Sequence, residues 1–134
     1  MPYPPRQCKP GEICGTDIGW VESFLNSNLK TSYYVYGKAS SQTQLASWLT
    51  WEIESGWSLI TLLDTSKIPG WGGWSAQHYI ATNGITVNGA TLQTVWYVDT
   101  ASAAAGYSGP YFNSTTPTFF YTWIKGYAGS GQVW

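Results

Sequence analysis

The amino-acid sequence predicts an α+β domain, with an antiparallel sheet of four or five strands and about three helices. Three observations carry this expectation. Apolar residues recur at helical spacing in three separate segments, 18–28, 42–55 and 117–125. Between them lie β-branched and aromatic runs bounded by glycine and by the Asn-Gly pairs at 83–84 and 88–89, which are tight-turn signals. The chain has 134 residues, 43% of them hydrophobic, which suits one core, since domains usually run to about 100–150 residues.

The elements follow in order. Residues 1–15, rich in proline and holding both cysteines, read as an extended arm, with a single domain over 16–134. Trp20, Val21, Phe24 and Leu25 make the stripe of a short helix ending at Asn26-Ser27-Asn28. Thr31 to Tyr36 reads as a strand closed by Gly37. Ser41 with Gln44 matches a capping box, and Leu45, Trp48, Leu49 and Ile53 continue one apolar stripe towards Gly56. The apolar run Trp57 to Leu63 predicts a central strand. Residues 64–76, with Pro69, Gly70, Gly72 and Gly73, predict a loop that leaves Trp71 and Trp74 at the surface. His78 to Thr82, Ile85 to Val87 and Leu92 to Val98 read as further strands, and 100–116 as a long loop. Thr116-Pro117 opens the last helix, with Phe119, Phe120, Trp123 and Ile124 on one face and Gly126 at its end. Trp20, Trp48, Trp57, Trp96 and Trp123 fall on these stripes and strands and are expected in the core.

Composition narrows the function. Six Lys and Arg against seven Asp and Glu give a net charge of −1, so no positive field exists for a nucleic-acid backbone. No run of about 20 apolar residues is present to enter a membrane, and residues 1–6 lack the apolar stretch of an export signal. Aromatic residues make up 17% and charged residues only 10%, a surface chemistry suited to a mature, exported protein. Two cysteines and one histidine are too few for a structural zinc site, and no glycine motif for a nucleotide cofactor appears. Glu52 and Glu54, two apart on a predicted helix, do not share a face and read as solvated charges rather than a glycosidase pair. Asn113-Ser114-Thr115 fits a glycosylation acceptor in a glycosylating host.

The remaining chemistry centres on His78, the only histidine, and Asp99, the only acid after Asp64. Antiparallel pairing of their strands brings both to one end of the sheet, where a carboxylate fixes the imidazole tautomer and supports its protonated form. Cys14 precedes the first helix, whose N-terminal dipole favours a thiolate, and Gln7 is placed to supply an oxyanion-binding amide. Cys8 and Cys14, with five residues between them that include Pro10 and Gly11, alternatively close a disulfide. A second use of the sequence is binding, with Trp71, Trp74, Tyr107, Tyr111 and Phe112 stacking on sugars or against another subunit.

The stretch from Gly56-Trp57-Ser-Leu-Ile-Thr-Leu-Leu through Gln77-His78-Tyr79-Ile80 to Trp96-Tyr97-Val98-Asp99 resembles the C39-like, papain-fold cysteine peptidase domains of secreted bacterial proteins. The closing Tyr121-Thr-Trp-Ile-Lys-Gly-Tyr127 is also similar. The resemblance implies a papain-like fold, His78 as general base, Asp99 as its orienting partner, a peptide substrate and no cofactor. Thr100 stands where that family usually has proline after the Asp. Two alignments of the nucleophile are open. Cys14-Gly15-Thr16 with Gln7 ahead of it resembles the family's Gln and Cys-Gly-Pro, which implies a small hydrolase. Gly15-Thr16-Asp17 with Val21 and Phe24-Leu25-Asn26 resembles a later family segment, which implies a domain truncated at its N-terminus or a non-catalytic relative that binds a cell-surface polymer or self-associates.

Overall fold

A computed structural model of the chain describes residues 18–103, 109–125 and 130–134. The extended arm expected at 1–15, Gln7, Cys8, Cys14, Tyr107 and the helix end at Gly126 lie outside the described residues. The architecture is α+β. Helices α1 (Ile18–Leu29), α2 (Gln42–Glu54) and α3 (Pro117–Lys125) accompany strands β1 (Tyr36–Gly37), β2 (Leu59–Asp64), β3 (Gln77–Asn88), β4 (Thr91–Val98), β5 (Phe112–Thr115) and β6 (Gly131–Val133). The sheet has six strands, all pairs antiparallel, in the order β1-β6-β2-β3-β4-β5. The C-terminal strand is therefore interior, between β1 and β2.

Alternation along the strands gives the sheet two apolar faces. Leu59 and Leu63 of β2, Ile80 of β3 and Val95 and Tyr97 of β4 face α2 and α3, where they form the main core with Leu45, Leu49, Phe120, Trp123 and Ile124. Leu62 and Val133 point the other way and pack on Ile18, Val21 and Leu25 of α1. In α1 the buried stripe is thus 18, 21 and 25. Trp20 and Phe24 sit on its exposed side, 49% and 45% accessible, contrary to the core position expected for Trp20.

Local chemistry explains the other departures from the sequence reading. Residues 31–35 are not a strand, because the Asn26 side chain pairs with Tyr34 as a strand neighbour would: its Nδ2 donates to the Tyr34 carbonyl at 2.8 Å and its Oδ1 accepts from the Tyr34 N–H at 2.9 Å. Ser41 caps α2 as expected, accepting from Gln44 N at 3.1 Å, while Gln44 Oε1 reaches the N–H of Ser40 at 2.8 Å. At the other end of α2, Gly56 adopts φ +84°, and the N–H groups of Gly56 and Trp57 return to the carbonyls of Ile53 and Glu52 at 3.1 and 2.9 Å. This is a Schellman cap, so Trp57 belongs to the helix terminus rather than to the strand and stays exposed.

Asn83-Gly84 is not a turn. β3 runs straight through it with a bulge between Thr82 and Gly84, and only Asn88-Gly89 makes the hairpin into β4. Trp96 lies on the sheet face away from α2 and α3 and is also exposed, whereas Trp123 is buried and Trp48 half-buried against Trp134, their rings 3.9 Å apart. The expected loop at 100–116 includes a short 3-10 turn at Thr100–Ala103 and strand β5.

Candidate active site

His78 is the second residue of β3 and lies opposite Leu63, so its side chain falls on the face covered by α2 and α3. Asp99 follows β4 by one residue, with the same parity as Val95 and Tyr97, and is fully buried. The two side chains meet: His78 Nε2 stands 2.7 Å from Asp99 Oδ1. Asp99 Oδ1 also accepts from the Ala101 N–H at 3.0 Å, and Oδ2 accepts from the indole Nε1–H of Trp71 at 3.0 Å. The Trp71 ring lies against the imidazole, centroids 5.0 Å apart. His78 keeps 17% side-chain exposure, enough for solvent or a substrate to touch it. With Nε2 turned to Asp99, Nδ1 is the ring nitrogen left to meet a reacting group.

A clamped loop delivers Trp71. Asp64 ends β2 and accepts from the N–H of Ser66 at 2.9 Å and from the hydroxyl of Ser75. Thr65 N–H donates to the Ala76 carbonyl at 3.0 Å, and Thr65 Oγ1 accepts from Ala76 N–H at 2.9 Å while donating to the Trp74 carbonyl. These bonds close the base of the 65–76 loop, and Trp71, 5% exposed, enters the core. The surface position expected for Trp71 is thus corrected: glycine-rich surroundings signalled exposure, but the clamp turns the ring inward. Burial raises the Asp64 carboxyl, yet the bonds from Ser66 and Ser75 outweigh it and hold the group below its ordinary value. That contribution to stability is present above about pH 3.9 and is lost as pH falls through the folded-state value.

Of the aromatic residues assigned to binding, Trp74 is 54% exposed and packs on Trp71, centroids 5.8 Å apart. Tyr111 is exposed too, and its carbonyl accepts from the Asp99 N–H at 2.9 Å. The Trp74 ring therefore borders the His78–Asp99 end of the sheet through Trp71, while Tyr111 joins it by its backbone and lays its ring edge-on to Phe112, centroids 4.9 Å apart. Phe112 pairs with Val98, so it lies on the opposite face from Asp99. Helix α1, which begins four residues after Cys14, packs on that opposite face as well.

Glu52 was expected in solvent and is instead fully buried. Its position extends the Leu45–Leu49 stripe by a further turn of α2, so the side chain points at the sheet. Tyr33 Oη donates to Glu52 Oε1 at 3.0 Å, and Oε2 has no partner. A cleft of about 340 Å³ lined by Leu29, Thr31, Tyr33, Tyr34 and Trp57 lies beside this pair, at the Leu59–Thr82 end of β2 and β3 rather than the His78 end. Among the described residues no cluster of three His, Cys, Asp or Glu side chains stands ready to hold a metal ion, and no helix is long and apolar enough to cross a membrane.

Comparison with protein families, with curated proteins and with solved structures found no match.

Proposed function

We propose that His78 and Asp99 form the proton-transfer half of an exported, C39-like cysteine hydrolase, with Cys14 as nucleophile and a peptide as substrate. The observation that carries this reading is the 2.7 Å contact of His78 Nε2 with a fully buried Asp99, which leaves Nδ1 for the thiol. In the proposed mechanism His78 Nδ1 takes the proton of Cys14 Sγ, the thiolate attacks the peptide carbonyl, and Gln7 stabilises the oxyanion. The imidazolium then protonates the leaving amine, and water releases the acyl group with His78 as base. Asp99 orients the ring throughout. Trp74 and Tyr111 supply apolar walls for the peptide side chains.

The test is the rate at which iodoacetamide alkylates Cys14 near neutral pH. Activation by His78 predicts labelling that slows by roughly tenfold or more in His78→Ala. Labelling at the rate of a free thiol in both proteins contradicts the proposal.

The packing of α1 on the face away from His78 favours a second reading, a non-catalytic relative that uses Trp74, Tyr111 and Phe112 to bind a cell-surface polymer or a second copy. It predicts a Cys8–Cys14 disulfide, tryptophan fluorescence that responds to glycans or to protein concentration, and no alkylation.

A further inference from the structure

Three hydrogen-bonding groups converge on Asp99, and two of them, the Ala101 N–H and the Trp71 indole N–H, can only donate. They engage different oxygens. Ala101 shares Oδ1 with His78, and Trp71 holds Oδ2 alone. His78 and Ala101 both hold Oδ1, so the rotation of the carboxylate about its Cβ–Cγ bond is fixed fully only when a donor also holds Oδ2. The indole is that donor. It comes from a loop whose base is closed by Asp64 and Thr65, and it is buried, so the donor arrives at a fixed height over the strand ends.

We propose that Trp71 is a positioning residue for the His78–Asp99 pair, its indole N–H locking the carboxylate in the rotation that presents Oδ1 to His78 Nε2. This role rests on the hydrolase reading for its use in catalysis, but the lock itself is a property of the folded chain. The arrangement also explains why position 99 holds an acid rather than an amide. An asparagine has one accepting and one donating end, so with Trp71 on one side and His78 and Ala101 on the other, one donor always faces another donor. Removing the indole N–H relieves that conflict.

The chain has a single histidine, so 15N-labelled protein gives one imidazole signal pair. On the neutral ring, the wild-type protein is expected to show one tautomer, with the proton on Nε2. Trp71→Phe, or β-(3-benzothienyl)alanine at position 71, which keeps the bicyclic ring and replaces N–H by sulfur, frees the carboxylate. The tautomer ratio then falls by roughly fivefold, the size of one net hydrogen bond. Asp99→Asn lowers the ratio as well, and the Trp71→Phe, Asp99→Asn double variant recovers it, because the amide N–H₂ turns to the vacated side.

A benzothienylalanine protein that keeps the wild-type tautomer ratio overturns the proposal, as does an Asp99→Asn defect that is the same with and without the indole. Merely structural packing by Trp71 would leave the ratio unmoved in the benzothienyl protein. Cys14 alkylation separates this proposal from the functional one. If labelling depends on His78 while the tautomer ignores position 71, only the lock fails; if the tautomer responds while Cys14 is unreactive, only the hydrolase reading fails.

Discussion

At the last turn of α2 the Glu52 carboxyl is buried with one oxygen held by Tyr33 and the other unpartnered. Burial pushes its pKa up, against the opposing hydrogen bond from Tyr33. A folded-state value above the unfolded value of about 4.3 means that the folded chain keeps a proton the unfolded chain has released. Stability from this site is therefore fully present below about pH 4.3 and is lost as pH rises through the folded-state value. The same surroundings push the Tyr33 phenol up to about 12, chiefly by burial and then by its bond to Glu52, so Tyr33 costs stability as pH rises from about 10 through that value.

Glu52→Gln keeps an acceptor for Tyr33 and removes the titration. The variant is expected to be more stable than wild type at pH 7 by on the order of 1 kcal/mol, and to lose the decline in stability above pH 4.3. Urea midpoints at pH 4 and pH 7 measure both; equal slopes for the two proteins would contradict the account. The charge of Glu52 reads as solvated in the sequence, whereas its position one turn beyond Leu45 and Leu49 turns it to the sheet in the fold. Tyr33, 19 residues away, decides the matter, and no local pattern records it. His78 and Asp99 were legible for the opposite reason: as the only histidine and the only acid after Asp64, they had few alternative partners.

Elements with a long apolar period read well, and short or locally compensated ones did not. The three helices appear at the expected places because each carries several turns of stripe. β5 and β6 have four and three residues, too few to show alternation, and the neutral Phe112-Asn-Ser-Thr115 carries no apolar run. Their existence depends on pairing with β4 and with β1 and β2, contacts distant in sequence. Trp57 was misplaced because a glycine before an apolar run marks a strand start and a Schellman cap alike. The cap makes its own prediction: Gly56 sits at φ +84° with nothing near where a side chain would go. Gly56→Ala is thus penalised by backbone conformation alone, by about 1 kcal/mol, measurable as a lowered urea midpoint with an unchanged slope. No change in the midpoint would argue against the cap.

Over the whole molecule, the aromatic excess divides between core and surface. Tyr97, Phe120, Trp71 and Trp123 are buried, while Trp20, Trp51, Trp57, Trp74, Trp96 and Phe112 remain exposed. The sheet carries His78 and Asp99 at one end of its α2–α3 face and leaves α1 on the other, so the chain preceding α1 has to pass round the sheet for Cys14 to meet His78. Cys14 lies four positions before Ile18, a reach of roughly 14 Å at full extension. The functional reading therefore turns on one atom. A crystal structure of the reduced protein that locates Cys14 Sγ is the most direct measurement. The hydrolase account predicts the sulfur within hydrogen-bond reach of His78 Nδ1, on the Trp71 side of the sheet; a sulfur bonded to Cys8, or held on the α1 side away from His78, contradicts it.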